Sequence, residues 1–217
     1  MVMFYIVETI PDNQSMQAVV AELLPLVPLV RRNKALRYKH LHGQFCCLRA
    51  WALLHELLVS HQFLSAGFSL AELTYAEDEH GKPWLTSSPD CNSPLIFDGK
   101  TICFSLSHTA NALAVAIDHQ PVGIDVEALI SKQRVSDQHF LDHTMSAKEQ
   151  VVIHQSANPQ VAFTELWTRK EALFKAIGTG INMSELPGVL ESPHAFTLQS
   201  IVSSDYVCSI AYSSDRR

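Results

Sequence analysis

Two carboxylates in an apolar, β-branched stretch are the residues with the clearest chemical potential. Asp125 and Glu127 flank Val126 in a run that begins at Val122. In a β-strand, side chains two positions apart point to the same face, so both carboxylates can bind one ion. Such ligands suit magnesium, which takes one or two protein carboxylates and completes its shell with water and phosphate oxygens. The spacing predicts a magnesium site for a phosphate ester, although an isolated pair of this kind more often marks a solvated strand face.

A third carboxylate and a cation follow on a segment with helical periodicity. Glu171 and Lys175 are four residues apart, so a helix presents both on one side. In isolation this spacing more often marks a surface ion pair worth about 0.3 to 0.5 kcal/mol. Because the pair follows Asp125 and Glu127, we expect Glu171 and Lys175 to converge on the metal site. The apolar residues expected to anchor this helix are Trp167, Leu173, Phe174 and Ile177.

The segments that must position these side chains predict an α+β fold. Expected helices cover residues 14–24, 31–61, 138–141, 146–155 and 159–178. Expected strands cover residues 2–8, 73–76, 84–85, 101–107, 112–118, 121–127, 196–203 and 206–212, with a loop at 89–99. The strands between 101 and 127 are expected to form an antiparallel meander. We expect two pseudo-symmetric α/β halves, residues 1–118 and 119–217, each an antiparallel sheet packed with helices, with the active site at their junction.

Length and composition indicate a folded, soluble protein. The 217 residues are 47% hydrophobic and 18% charged, enough apolar material for a packed core. The net charge of -6 excludes a global basic field for nucleic-acid binding, so any anion site must be local. The apolar runs are too short or too interrupted for a signal peptide or a membrane span. Five cysteines, an odd number without zinc spacing, favour a reducing cytoplasm.

Four short motifs follow one another along most of the chain. They are Gly81-Lys82-Pro83, Phe104-Ser105-Leu106-Ser107-His108, Val122-Gly123-Ile124-Asp125-Val126-Glu127, and Trp167 with Lys170-Glu171-Ala172 and Lys175. In this order they resemble the signatures of the 4'-phosphopantetheinyl transferases, specifically the Sfp type with two pseudo-symmetric halves. The resemblance implies holo-acyl-carrier-protein synthase activity. Such an enzyme transfers the 4'-phosphopantetheine arm of coenzyme A to a serine hydroxyl of an apo acyl or peptidyl carrier protein and releases 3',5'-ADP.

The resemblance also implies roles for the acidic residues. Magnesium is expected on Asp125, Glu127 and Glu171, facing the pyrophosphate of coenzyme A. Glu171, directly or through a metal-bound water, is expected to accept the serine proton, and Lys175 is expected to contact a phosphoryl oxygen.

The remaining motifs have the chemistry to bind coenzyme A. Lys82 lies on a tight Gly-Pro turn from which an ammonium can reach a phosphate. Ser107 and His108 end a strand and can donate to the ligand, although His108 alone would favour a structural role. Arg31, Lys34 and Arg37 follow one another at intervals of three, lie roughly on one helical face and resemble the residues that meet the 3'-phosphate. Without the resemblance, a solvated helix face explains these basic residues equally well.

The chain departs from the family pattern just after these basic residues. The family tends to have an Arg and a Ser or Thr where this chain has Cys46 and Cys47. Gln44 or Arg49 is the expected substitute for the missing contacts.

The resemblance also implies that an apolar patch with a basic rim, between the two metal motifs, docks the carrier protein. Phe140, Leu141 and Met145 supply the candidate patch, and Lys132 and Arg134 the rim. Ordinary core packing is an equally good account of Phe140 and Leu141.

Two further function classes stay open on the residues alone. One is a non-catalytic module of the same fold that binds coenzyme A or a carrier protein. The argument against it is that three carboxylates would repel a phosphate in the absence of a metal. The other is an unrelated magnesium or zinc hydrolase, which is disfavoured because the histidines lack zinc spacing and the sequence has no Gly-rich phosphate loop. We expect a cytoplasmic monomer with no nucleic-acid or membrane partner.

Overall fold

The computed structural model describes residues 3–79, 81–88 and 91–215 and confirms the α+β prediction. The helices are α1 Asn13–Leu23, α2 Leu29–Leu36, α3 Leu41–Ser60, α4 Lys132–Val135, α5 Gln138–Thr144, α6 Ala147–Gln155 and α7 Pro159–Ile177. The strands are β1 Phe4–Thr9, β2 Thr74–Glu77, β3 Pro83–Ser88, β4 Cys91–Pro94, β5 Ile96–Phe97, β6 Lys100–Thr101, β7 Cys103–His108, β8 Ala112–Asp118, β9 Val122–Ala128, β10 Phe196–Val202 and β11 Tyr206–Ser213. Short 3₁₀ turns cover Leu70–Glu72 and Leu186–Gly188.

Two three-stranded antiparallel sheets follow the same chain order of strand, helix, strand, strand. In the first, β1 leads through α3 to β7 and β8, and the sheet order is β1-β8-β7. In the second, β9 leads through α7 to β10 and β11, and the sheet order is β9-β11-β10. In each sheet, the strand that comes last along the chain, β8 or β11, is therefore the central strand. This shared topology matches the expected two similar halves, while their boundary between residues 118 and 119 stays a prediction.

Strand β8 is buried on both faces because it separates two apolar cores. One face packs against α3 and carries Leu113, Val115 and Ile117. The other face packs against β9 and carries Ala112, Ala114 and Ala116. On β9, the residues of this second core are Val122, Ile124 and Val126. Because side chains alternate along a strand, β9 presents Asp125 and Glu127 on the face opposite this core.

The predicted single helix over 31–61 is wrong, because two helices cover this region. The chain leaves the helical path after α2 and resumes it at α3, with His40 in an extended conformation before the first turn. In the connection, the Tyr38 ring lies over Gly43, where a Cβ would come within 2.6 Å of Tyr38 Cδ1. A packing contact between residues five apart therefore fixes this break. Within the described ranges, no helix is both long and apolar enough to cross a membrane.

Two strand predictions are also corrected. The β7–β8 hairpin of the predicted meander is confirmed, but β9 pairs with β11 in the other sheet. The predicted loop at 89–99 contains the short strands β4 and β5, of which β4 extends the β2-β3 hairpin into a small sheet. Residue 2 of the first predicted strand and residues 89 and 90 of the predicted loop lie outside the described residues.

Candidate functional site

Helix α7 approaches β9 closely because the strand has no side chain at Gly123. A Cβ at this position would lie 2.0 Å from the carbonyl oxygen of Ala172 and 2.5 Å from the backbone nitrogen of Ala176. Small residues thus meet on both surfaces, and no side chain separates the two backbones. The approach brings the helix face that carries Glu171 and Lys175 against the acidic face of β9.

Three carboxylates converge between β9 and α7. One oxygen from each of Asp125, Glu127 and Glu171 lies within 4.8 Å of the other two. Asp125 is 1% exposed, and its Oδ1 accepts hydrogen bonds from Ser107 Oγ at 2.8 Å and from Lys175 Nζ at 2.7 Å. Its buried Oδ2 has no hydrogen-bond partner in the described part of the chain. A buried oxygen without a partner, beside two further carboxylates, fits a divalent cation of the magnesium type.

The electrostatics of the cluster also fit a cation. Burial, and then the charge of Asp125, raises the pKa of Glu171 to about 7. The same two causes raise the pKa of Glu127, while Lys175 lowers the pKa of both residues. Burial and neighbouring like charges disfavour ionisation, and a bound cation would favour the state in which all three groups are ionised.

Two hydroxyl residues that were not predicted support this cluster. Thr109 Oγ1 donates to Glu127 Oε2 at 3.4 Å and accepts a backbone N–H from β9. Ser105 Oγ accepts the N–H of Ile124 at 3.0 Å. Ser105 and Ser107 are two residues apart on β7, so both hydroxyls point toward β9. This Ser-x-Ser alternation is the signal in the sequence that could have identified Ser105, whereas Thr109 gives none.

A cavity of about 320 Å³ opens beside the carboxylates. Its charged lining residues are Lys82, Glu171 and Lys175. Its main apolar lining residues are Pro83, Phe104, Leu106, Phe174 and Ile181. Lys82 comes from the turn between β2 and β3, and its Nζ donates to the carbonyl oxygen of Ala176 at 3.0 Å. Burial lowers the pKa of the Lys82 ammonium.

A second cavity of about 210 Å³ continues the first on the side of the N-terminal half. It contains Arg31, Lys34, Ser107 and His108. The two cavities share the lining residues Gly81, Pro83, Phe104 and Leu106. The predicted coenzyme A residues that line this continuous groove are Arg31, Lys34, Lys82, Ser107, His108 and Lys175. Glu171 of the carboxylate cluster also lines it, whereas Arg37 is not among its described lining residues, contrary to the prediction.

The cations of the second cavity are held by specific contacts. Arg31 is buried, its Nε donates to a backbone carbonyl of α3 at 3.0 Å, and its guanidinium lies 4.8 Å from the centre of the Trp51 ring. Lys34 Nζ donates to Glu77 Oε1 at 3.1 Å. Partial desolvation and then neighbouring cationic groups lower the pKa of His108, although part of its side chain stays exposed. A positive groove wall of this kind suits a polyanion.

Comparison with known proteins finds a family model that matches the C-terminal part of the chain. Residues 121–211, from the start of β9 into β11, match the family model described as the 4'-phosphopantetheinyl transferase superfamily. This part of the chain is therefore similar to that superfamily. The matched segment contains Asp125, Glu127, Glu171 and Lys175, the four residues that meet between β9 and α7.

Two named 4'-phosphopantetheinyl transferases are similar over more than half of the chain, and a fatty acid synthase subunit over a shorter segment. The 4'-phosphopantetheinyl transferase psf-1 of Bacillus pumilus is 28% identical over 174 residues, which cover 79% of this chain and 66% of that protein. The 4'-phosphopantetheinyl transferase gsp of Aneurinibacillus migulanus is 31% identical over 134 residues, or 60% of this chain and 49% of that protein. A fatty acid synthase subunit alpha of Candida parapsilosis is 38% identical over 78 residues, only 4% of its length. The chain thus spans less than two thirds of the length of these relatives.

The two cysteines that depart from the superfamily pattern line the second cavity. Cys46 and Cys47 are both buried, and burial raises the pKa of both thiols, to about 12 for Cys46. The predicted substitutes are bonded elsewhere: Gln44 donates to a backbone carbonyl at 3.0 Å, and Arg49 pairs with two glutamates at 2.7 Å. Neither is among the described residues that line this cavity, contrary to the prediction.

Several apolar residues do not have the roles predicted for them. Leu141 and Met145, expected to dock a carrier protein, are 0% and 1% exposed and belong to a core cluster. Phe140 is half-buried, with the Arg134 guanidinium 3.9 Å from its ring centre. Ile177, expected to anchor α7, is 45% exposed because it is the last residue of the helix. Core packing therefore explains Leu141 and Met145.

A buried ion pair that was not predicted fixes another side of α7. Lys170 is 0% exposed, and its Nζ donates to Glu149 Oε2 at 2.6 Å and to the backbone carbonyls of Thr144 at 2.7 Å and Pro187 at 3.3 Å. Glu149 also accepts the N–H of Ser146 and so completes the capping box of α6. Lys170 precedes the carboxylate Glu171, so this pair restrains the helix at the position where it carries the site.

Proposed function

We propose that this protein transfers the 4'-phosphopantetheine arm of coenzyme A to a serine hydroxyl of an apo acyl or peptidyl carrier protein and releases 3',5'-ADP. The observation that carries the proposal is the convergence of Asp125, Glu127 and Glu171 at the end of a groove lined with cations. Three carboxylates without a metal would repel a phosphate, so a module that only holds the ligand does not explain them.

The groove offers complementary sites for the charges of coenzyme A. Arg31, Lys34 and His108 would meet the 3'-phosphate side of the molecule, and Lys82 and Lys175 would meet the pyrophosphate. Lys175 already donates to Asp125 and Ser107, at 2.7 Å and 3.0 Å. An ammonium has three N–H donors, so one donor is left for a phosphoryl oxygen.

The residues around the carboxylates account for the proposed reaction. Asp125, Glu127 and Glu171 would hold magnesium, which when bound supplies neutralising charge for the pyrophosphate. The serine Oγ forms a bond to the phosphorus of the pantetheine phosphate as the bond from that phosphorus to the bridging oxygen breaks, and 3',5'-ADP leaves with the bonding electrons. Glu171, which lines the open cavity, would accept the serine proton. Lys175 and Ser107 would hold the phosphate of coenzyme A beside Glu171, the acceptor of the serine proton.

Transfer to carrier proteins provides the direct test. The full chain is incubated with magnesium, coenzyme A and a panel of apo acyl and peptidyl carrier proteins, and each carrier is weighed by mass spectrometry. We expect one carrier to gain the mass of phosphopantetheine, and Glu171→Gln and Asp125→Asn to abolish the gain. Glu165→Gln is the matched control, because Glu165 lies on the same helix but pairs with Arg169 away from the groove.

Two outcomes would overturn the proposal. A folded wild-type sample that binds coenzyme A in calorimetry but modifies no carrier would identify the binding module. Near-normal transfer by Glu171→Gln would remove the assignment of the carboxylates. A monomeric state and a cytoplasmic location stay predictions, which light scattering and cell fractionation can check.

A further inference from the structure

Lys82 links the two halves of the protein across the groove. It lies in the turn just before β3 in the N-terminal half, and its Nζ donates to the carbonyl oxygen of Ala176 in the last turn of α7. The final carbonyls of a helix lack intrahelical partners and carry partial negative charge. The ammonium of Lys82 is therefore attracted to the end of the same helix that carries Glu171 and Lys175.

The Lys82 side chain lies against Gly178, the residue that caps the C-terminus of α7. Gly178 has φ 91° and caps the helix in the left-handed conformation. A Cβ built on Gly178 would lie 3.0 Å from Lys82 Cδ, 3.2 Å from Nζ and 3.7 Å from Cε. Gly180, two residues later, also has a positive φ of 71°, but a Cβ there would meet no described atom within 4 Å. The two glycines thus share the same backbone requirement and differ in their contact with Lys82.

We propose that Gly178 is a positioning residue: its missing side chain lets Lys82 lie across the end of α7 and holds the ammonium in the groove beside Glu171 and Lys175. The inference rests on the proposed function for the ligand, since Lys82 is assigned there to the pyrophosphate. It adds that the position of this cation is set by a residue of the other half. One N–H of the ammonium is used on Ala176, which leaves two donors for an anion.

An alternative is that Gly178 serves only the helix end. A left-handed cap favours glycine regardless of any neighbour, and alanine there strains the backbone. This purely structural role predicts the same effect of Gly178→Ala whether or not a lysine occupies position 82. The positioning role predicts that the effect depends on Lys82, and a double-mutant cycle separates the two.

The first measurement is steady-state transfer by Gly178→Ala, Lys82→Ala and the double variant. We expect Gly178→Ala to raise KM for coenzyme A about tenfold, the scale of one charge-assisted hydrogen bond, with kcat changed less than about threefold. In the Lys82→Ala background, Gly178→Ala should leave KM unchanged. An equal rise of KM in both backgrounds, or a loss confined to kcat, would overturn the inference.

The second measurement does not depend on coenzyme A. In urea unfolding, Gly178→Ala and Gly180→Ala both place alanine at a positive φ, so Gly180→Ala is the control for backbone strain. We expect Gly178→Ala to lower the urea midpoint more in the wild-type background than when Lys82 is alanine, and Gly180→Ala to lower it equally in both backgrounds. An effect of Gly178→Ala that is the same in both backgrounds would refute the contact. If the wild-type protein transfers nothing, the proposed function fails while this cycle still decides the role of Gly178.

Discussion

Replacing Gly123 by alanine is expected to separate α7 from β9 and to disable the site. The added Cβ would lie 2.0 Å from the carbonyl oxygen of Ala172, and ordinary contacts begin at 3.4 Å. The opposing atoms belong to the helix backbone, so no side-chain rotation can relieve the clash. The two backbones must move apart by about 1.4 Å, the difference between these distances.

That displacement gives the expected size of the effect. A separation of this size would lengthen the bond between Lys175 Nζ and Asp125 Oδ1, now 2.7 Å, beyond hydrogen-bond range. Misplacement of reacting groups by about 1 Å costs about 100-fold in rate, and overpacking of a core costs about 1 to 3 kcal/mol. We therefore expect Gly123→Ala to reduce transfer about 100-fold and to lower the free energy of unfolding by about 1 to 3 kcal/mol.

Urea unfolding followed by circular dichroism and the carrier-modification rate measure the two effects. Gly188→Ala and Gly67→Ala are the controls, because a Cβ at either position would meet no atom of the described residues within 4 Å. Both controls should stay within about 0.5 kcal/mol of the wild type in stability. A Gly123→Ala protein with stability equal to the controls and a rate within a few-fold of the wild type would refute the close approach of α7 to β9.

Three further expectations concern other buried groups. Glu149→Gln should lower the free energy of unfolding in urea by about 3 to 5 kcal/mol, because it leaves the buried charge of Lys170 without a partner. The double variant Glu149→Leu/Lys170→Met should recover most of this loss. Equal losses in the single and double variants would contradict the ion pair. Magnesium should raise the melting temperature of the wild type because it binds the folded state, and chelation by EDTA should reverse this rise and stop transfer. Asp125→Asn should show no such rise. A rise in Asp125→Asn as large as in the wild type would place the metal elsewhere. The pKa of Cys46 in the folded state is raised from 9.0 to about 12. Between these two pH values the native state binds more protons than the unfolded state. The contribution of Cys46 to the free energy of unfolding is therefore lost as the pH rises through that range. Cys46→Ala should weaken the alkaline loss of stability in urea titrations between pH 8 and 10.5, and an unchanged slope would contradict the burial.

The carboxylate cluster was predictable from the sequence because its geometry is local. The period of a strand places Asp125 and Glu127 on one face, and the period of a helix places Glu171 and Lys175 on one side. Only the meeting of the two elements needed more information, and the ordered motifs supplied it. Nothing in the spacing shows that Gly123 makes this meeting possible, since its role depends on a backbone from the other side of the contact.

Features that depend on distant partners could not be predicted. The break between α2 and α3 contains no proline or glycine, and it is fixed when the Tyr38 ring packs over Gly43. Strand β9 follows β8 after a short turn, so the sequence favoured pairing between these two strands. Its observed pairing with β11 depends on a strand that is distant along the chain. Lysine is rarely fully buried, and the acceptors of Lys170 come from three separate segments, so its burial has no local signature.

The double burial of β8 affects how the protein folds. Its leucine, valine and isoleucine side chains complete the core with α3, and its alanines complete the core with β9. Neither core can close before this strand is in place, and removal of either half would expose the other face of β8 to water. Although the chain order repeats, the halves therefore share one cooperative unit. Calorimetry should record a single unfolding transition, and a separately expressed residue 119–217 fragment should aggregate through the uncovered face of β9.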